Sequence, residues 1–288
     1  MDIGIGLPHT LPDVTGDGLL DWAVIADNAG FSSLATLDRL VYDGYESLVT
    51  LAAAAAVTIR CRLTTSILIA PLHSNTALLA KQAASIDRLS GGRLVLGLAV
   101  GARPDDFRAS GVDPATRGRA LDRQLDEMRR IWAGERRGFA GAIGPAPTRD
   151  GGPELILGGH SAAALARAAR VADGWIGGSG GPPMFRQGAA ALASACDELG
   201  RPRPARLLAL AYFALGADAE AAADSYLLRY YGFAPPYAQL VRRAALVDEA
   251  ALTRAVKEYE QAGCDELLLM PCAAGVDQVE RLAEVIGR

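Results

Sequence analysis

The stretch LLAKQAASIDRLSGGRLVLGLAVGARPDDFRASG, residues 78–111, decides how this chain folds. Leu78, Leu79, Ala83, Ile86 and Leu89 recur at helical spacing, so Leu78–Leu89 reads as a helix. Ser90-Gly91-Gly92 closes it, because glycine reaches the left-handed backbone that ends a helix without steric cost. Arg93–Val100 (RLVLGLAV) follows at once as an apolar strand, which breaks at Gly101 into a segment rich in Asp and Arg that reads as a loop. A helix therefore delivers a strand to the core, and the strand's C-terminal end opens into polar residues. Ligands of α/β folds bind at such ends.

The same unit recurs in both directions. Upstream, the strands Ile3–Leu7, Phe31–Leu37 and Arg62–Ala70 alternate with the helices Leu19–Ala29 and Glu46–Ile59. Downstream, Asp113–Trp132 reads as a long helix, with Asp113 as N-cap, Pro114 in the first turn and a stripe of Leu121, Leu125, Met128 and Trp132. Gly134–Gly152 lacks periodicity and reads as a loop. The strands Glu154–Leu157, Gly174–Gly177, Ala205–Leu215 and Glu266–Met270 follow, with helices at Ala162–Ala172, Pro182–Leu199, Asp218–Tyr231, Glu249–Ala262 and Val276–Ile286. The strands are continuous apolar runs, which marks parallel strands covered on both faces. Eight strand–helix units in 288 residues is the count of an α/β (β/α)8 TIM barrel. A doubly wound open sheet is the alternative, but the units fill the chain without leaving a second domain. No linker, repeat or low-complexity tract divides residues 1–288, so a single domain is expected.

Composition narrows the function. A net charge of −4 and scattered arginines give no nucleic-acid face. No apolar run reaches the roughly 18 residues of a membrane helix, and MDIGIGLP is not a signal peptide. Cys61, Cys196, Cys264 and Cys272 form no CxxC pair and read as reduced thiols of a cytoplasmic protein. No metal is expected, since His9, His73 and His160 follow separate strands without a matched carboxylate.

The residues just after each strand are the candidate site: Pro8-His9-Thr10, Asp38-Arg39, Pro71-Leu72-His73, Gly101-Ala102-Arg103, Gly158-Gly159-His160-Ser161, Gly178-Ser179, Gly216 and Pro271-Cys272. The most telling is LILGGHSAAALARAARVADGW, residues 155–175, where a strand meets a helix through Gly158, Gly159, His160 and Ser161. Glycines let backbone N–H groups approach a ligand, and the helix N-terminus adds free donors and a positive dipole end, so a phosphate needs no lysine there. The next strand ends in a second glycine cluster, Gly177–Gly181. GLAVG is no dinucleotide fingerprint, because it lacks GxGxxG and no helix opens directly after it. No GxSxG, HExxH or carboxylate–histidine motif supplies a nucleophile or base. A phosphate-bearing cofactor that carries its own chemistry suits this set.

Three segments resemble the bacterial luciferase-like flavin-dependent oxidoreductases: residues 79–112 of the opening stretch, LGGHSAAALARAARVADGW and AGCDELLLMP. The likeness runs from IGIGLP to the last strand. It implies a (β/α)8 barrel, usually a homodimer, that uses FMN or the deazaflavin F420. Carried over by residue, it implies that Gly158, Gly159, His160 and Ser161 hold the cofactor phosphate together with Gly178. It implies a non-prolyl cis peptide near Ser66-Ile67-Leu68 beneath the flavin ring, with Val100 and Gly101 close to the ring and ribityl chain. Asp38 would face the substrate side, and Arg39 stands where several relatives carry a histidine. Asp38 and Arg39 are thus the catalytic candidates. The Gly134–Gly152 connection is short for the family, which leaves the pocket either open or covered by Arg229–Tyr237. The resemblance implies a monooxygenase that takes reduced FMN from a separate flavin reductase and uses O2 on a small organic substrate. An F420-dependent hydride-transfer enzyme is one alternative, and a non-catalytic flavin-binding barrel is another.

Overall fold

In the computed structural model, which describes residues 1–288, the side chains of each strand divide between two apolar layers. The strands are β1 (Asp2–Gly6), β2 (Ser33–Thr36), β3 (Arg62–Thr65), β4 (Leu68–Ile69), β5 (Leu94–Ala99), β6 (Glu154–Gly158), β7 (Gly174–Gly177), β8 (Arg206–Phe213) and β9 (Glu266–Pro271). Along β8, Leu208, Leu210 and Tyr212 join the cluster inside the sheet, while Ala209, Ala211 and Phe213 join the larger cluster beneath the helices. Leu268 and Met270 of β9 likewise face inward, and Leu267 and Leu269 outward. Each strand is buried on both faces, which is why its sequence is apolar without alternation.

The helices are α1 (Gly16–Asn28), α2 (Ser47–Val57), α3 (Thr76–Leu89), α4 (Pro104–Ser110), α5 (Arg117–Trp132), α6 (Ala162–Val171), α7 (Pro182–Glu198), α8 (Ala219–Tyr230), α9 (Pro235–Arg243), α10 (Glu249–Gln261) and α11 (Asp277–Val285). Their starts follow capping chemistry: Thr15, Asn75, Ser161 and Asp248 each accept a backbone N–H of the first turn. All strand pairings are parallel, in the order β3-β2-β1-β9-β8-β7-β6-β5-β4, and the ring closes because β5 pairs with β3 as well as β4. Strands β3 and β4 are one barrel stave interrupted at Ser66–Ile67, where the peptide bond is cis. The architecture is a closed, single-domain (β/α)8 barrel of eight parallel staves with helices outside.

The lumen is narrow, and two glycines of β1 make it so. A Cβ on Gly4 would stand 2.6 Å from Leu268 Cδ2, and one on Gly6 would stand 2.5 Å from Met270 Cε. The N-terminal end of the barrel is plugged by charge. Glu266, 1% exposed, accepts from Ser32 (2.6 Å) and Ser33 (2.5 Å) and pairs with Arg206. Arg206 in turn binds Glu154 at 2.7 Å. The plug leaves the C-terminal end as the open face.

Three features depart from the sequence reading. Pro104–Ser110 after β5 is a short helix (α4), because Pro104 opens it and Gly111 (φ +70°) closes it. Asp113 caps a 3-10 turn, Pro114–Thr116, and α5 begins only at Arg117. The segment after Tyr231 forms a separate helix, α9, started by Pro235 and Pro236. The Gly134–Gly152 connection holds no helix and runs along the outside of α3, with Thr148 bound to Asp87 and Gly144 O accepting from Lys81. All four cysteines are buried and unpaired, and no helix is long and apolar enough to cross a membrane.

Candidate functional site

The glycine-rich ends of β6 and β7 stand side by side and are tied by a histidine. His160 Nε2 accepts the Gly178 N–H at 3.0 Å, which makes Nε2 the lone-pair nitrogen and leaves the proton on Nδ1. Burial lowers the His160 pKa, which favours that neutral ring. Trp175 packs edge-on to His160, with centroids 5.5 Å apart, and donates its indole N–H to Gly159 O at 3.0 Å. Gly159 has φ +118°, and a Cβ there would sit 2.8 Å from Ala164 Cβ, so only glycine suits the turn. Ser161 caps α6 by accepting from Ala164 N. The N–H groups of Gly159, His160 and Ser161 have no partner in the chain. They form a set of free donors at a helix N-terminus, the donor chemistry a phosphate needs.

The interrupted stave reaches this loop from below. A Cβ on Gly158 would meet Ile67 Cδ1 at 2.6 Å, and one on Gly97 would meet Thr65 O at 2.0 Å and Ile67 Cγ2 at 3.0 Å. The glycines of β5 and β6 thus make room for Ile67, which lies part-exposed at the strand ends beside Gly158. Ser66 is buried and donates to Thr36 O at 3.2 Å. Val100 and Gly101 are part-exposed at the same level, and Gly101 (φ +72°) leaves room for Ile69, whose Cγ2 would lie 2.5 Å from an added Cβ. Ser66, Ile67, Val100, Gly101, Gly158, Gly159, His160, Ser161 and Gly178 therefore gather at the ends of β3 to β7.

Asp38 and Arg39 lie at the end of β2 and have different surroundings. The Asp38 carboxylate is 7% exposed; it accepts Ile69 N–H at 2.7 Å and stands 3.4 Å from His73 Nε2. Burial disfavours the His73 cation, but the hydrogen bond and charge of Asp38 outweigh it and raise the His73 pKa. This Asp38–His73 pair is an acid–base group that the sequence reading did not single out. Its one signal was that both residues follow neighbouring strands. Arg39 turns into an aromatic wall, 4.6 Å from the Tyr230 centroid and 5.4 Å from that of Phe233. His9, also after a strand, is fully buried and braces β1 against β2 through Leu7 O (3.1 Å) and Leu37 O (2.8 Å).

The wall itself is Tyr42, Tyr212, Tyr226, Tyr230, Tyr231 and Tyr237, packed at 5.0–6.0 Å, edge to face except for the tilted pair Tyr226–Tyr230. Tyr212 and Tyr231 share a hydrogen bond of 2.8 Å, and Thr10 and Tyr226 one of 2.7 Å. Burial pushes the Tyr231 phenol up to about 12, so it stays protonated at neutral pH. The α8–α9 segment, which carries Tyr226, Tyr230, Tyr231 and Tyr237, reaches the glycine loops, since Tyr237 Oη lies 3.5 Å from Ser179 Oγ. A cleft of about 740 Å³ runs along α10 on the outer helices, and one of about 730 Å³ reaches Pro71 and Ser74 on either side of His73. No group of three or more His, Cys, Asp or Glu side chains is placed to hold a metal ion.

A parallel (β/α)8 barrel with free donors and a part-buried acid–base pair at its C-terminal strand ends is the class of protein these observations define. The chain belongs to the luciferase-like monooxygenase family, whose model matches residues 1–269. An uncharacterised protein of Mycobacterium tuberculosis is 33% identical over 212 residues, covering 63% of this chain and 72% of the relative. Among solved structures, an F420-dependent secondary alcohol dehydrogenase in complex with an F420–acetone adduct superposes with a TM-score of 0.83 at 16% identity, covering 100% of this chain and 99% of the other. The oxygenating constituent of 3,6-diketocamphane monooxygenase from Pseudomonas putida, in complex with FMN, gives 0.70 at 19% identity, covering 99% and 97%. Family membership supports an enzyme, and members use FMN or F420.

Proposed function

We propose that this protein is a flavin-dependent monooxygenase that takes reduced FMN from a separate reductase and uses O2 on a small organic substrate. The observation that carries this reading is the set of unpartnered N–H groups at Gly159, His160 and Ser161, set against the part-exposed Ile67 and Gly158 in a chain of the luciferase-like monooxygenase family. These residues fit a phosphate: the donors point from a helix start, and the Gly159 turn has no side chain to fill the cradle. Bound reduced FMN would supply the reaction with O2. In that reading Gly158–Ser161 would hold the phosphate, with the Gly178 N–H fixing His160 beside it, and Ser66, Ile67, Val100 and Gly101 would line the ring. The Tyr230–Tyr237 wall keeps water from the strand ends, and the Asp38–His73 pair holds a proton at His73 Nε2 within the site. A homodimer in a cytoplasmic setting belongs to the same reading. The exposed Val49, Leu78 and Leu89 on α2 and α3 support it, and the molar mass in solution tests it.

F420-dependent hydride transfer is the second reading, supported by the superposition on the F420-dependent alcohol dehydrogenase. Equilibrium fluorescence titration with FMN, reduced FMN and F420, repeated on Gly159→Asp with its melting curve as a folding control, separates them. The monooxygenase reading expects tight reduced-FMN binding that Gly159→Asp abolishes. Preference for F420 moves the assignment to hydride transfer. Binding of neither refutes both.

A further inference from the structure

Arg39 has no hydrogen bond in the chain, although its side chain is only 10% exposed. Its nearest carboxylate, Asp106, is 4.0 Å away, and that group already accepts the backbone N–H groups of Leu40 (3.2 Å) and Val41 (2.7 Å). Arg39 Nε is buried without a partner. Arg103, after β5, is 14% exposed and spends its Nε on Asp105 at 2.7 Å, while its Nη1 is also buried and unpartnered. The two guanidiniums share one ring: Phe233 lies 5.4 Å from the first and 5.7 Å from the second. Arg229 stands close by, 5.6 Å from the Tyr42 ring that Arg103 also faces.

A buried guanidinium with unmade hydrogen bonds is costly, and aromatic faces return only part of that cost. Two such groups facing one ring also repel each other. The contacts in place do not account for these donors, since Arg39 meets only aromatic faces and an Asp106 carboxylate 4.0 Å away, and Arg39 Nε and Arg103 Nη1 have no acceptor. Planar guanidinium donors match a carboxylate in both geometry and charge.

We propose that Arg39 and Arg103 form the recognition site for a carboxylate on the substrate, whose apolar or aromatic body lies against Tyr42, Tyr230 and Phe233. This deepens the monooxygenase reading and rests on it for the word substrate. The pair stands over β2 and β5, whereas the phosphate donors follow β6, and the tyrosines run from Arg39 at Tyr230 to Ser179 at Tyr237. A ligand carboxylate would supply the hydrogen bonds that Arg39 Nε and Arg103 Nη1 lack and would separate the two cations.

The test is isothermal titration of the full chain, with and without FMN, using benzoate and phenylacetate as probes and benzamide and phenylacetamide as their uncharged counterparts. The carboxylates are expected to bind, and the amides to bind at least about tenfold more weakly, the scale of a charge-assisted hydrogen bond. Arg39→Met and Arg103→Met are each expected to remove a similar factor and to leave FMN affinity unchanged. Arg39→Lys keeps the charge without the planar fork, and an intermediate affinity is expected from it, which guards against a folding loss in the Met variant. Equal affinity for acid and amide overturns the proposal, as does carboxylate affinity that ignores both Met variants, or no carboxylate binding by the folded wild-type chain. The oligoglutamate tail of F420 carries the same chemistry. If Arg39→Met weakens F420 but not its tail-free deazaflavin and leaves benzoate untouched, the carboxylate is the cofactor's and the substrate assignment falls. Benzoate binding that needs Arg39 in a chain that binds no flavin would keep the subsite and refute the flavin reading.

Discussion

Gly158→Ala tests the packing on which the proposed cofactor floor rests. The new methyl would lie 2.6 Å from Ile67 Cδ1, 3.4 Å from Ile176 Cγ2 and 3.7 Å from Ala99 Cβ. Carbon atoms prefer about 3.5–4.0 Å, so only the first contact is in serious conflict. That atom is the tip of a part-exposed side chain, which can escape by leaving its rotamer at about 0.5–1.5 kcal/mol. With the usual strain of an overpacked site, Gly158→Ala should cost about 1–2 kcal/mol. Ile67→Val deletes the clashing methyl and should itself cost about 1 kcal/mol. The double variant should then be more stable than the sum of the two changes by about 1 kcal/mol. Urea unfolding of the four proteins, followed by tryptophan fluorescence, measures the cycle, and FMN affinity measured alongside reports the floor. Additivity within about 0.3 kcal/mol would mean that Ile67 does not fill the space above Gly158, and the described floor would be wrong.

Glu266→Ala should destabilise the barrel by about 1–3 kcal/mol, because it leaves the Ser32 and Ser33 hydroxyls without their acceptor and Arg206 with Glu154 alone at the plugged end; a urea midpoint that stays put refutes the plug. Asp27 accepts the N–H groups of Ile59, Arg60 and Cys61; burial would raise its pKa, but these bonds prevail and lower it. Its contribution is therefore complete above the unfolded value of about 3.9 and fades as pH falls through the folded one. Asp27→Asn should cost about 2 kcal/mol near neutral pH and progressively less in acid, and a cost that does not vary with pH argues against the carboxylate clamp. His73 should titrate above an ordinary histidine in a proton NMR series, and Asp38→Asn should bring it down. The stabilisation from that pair is complete below the unfolded value of about 6.5 and is lost as pH rises through the folded one. A His73 signal unmoved by Asp38→Asn would separate the two groups.

The barrel was legible in the sequence because its rules are local and repeated. Residues 78–111 show a helix, a glycine stop and a doubly buried strand in order, and a continuous apolar strand has few places to go other than a covered parallel sheet. The GGHS turn was legible for the same reason: glycine, a cap and a helix start lie within four residues. Where a local rule was missing, the reading slipped. Pro104 started a helix within a segment read as loop, and Pro235 with Pro236 restarted one beyond Tyr231, because proline at a first turn looks the same on paper as proline in a loop.

What the tertiary structure alone decided are relations between residues far apart in the chain. It joined Asp38 to Ile69 and His73, His160 to Gly178, and Ile67 to Gly158, each across different staves of the barrel. It also set Arg39 and Arg103 against one phenylalanine from a distant helix turn and left their donors without partners. A sequence records which groups are present and how they repeat. Closure of the ring decides which strand ends face one another, so partners, burial and unmet hydrogen bonds exist only once it has closed.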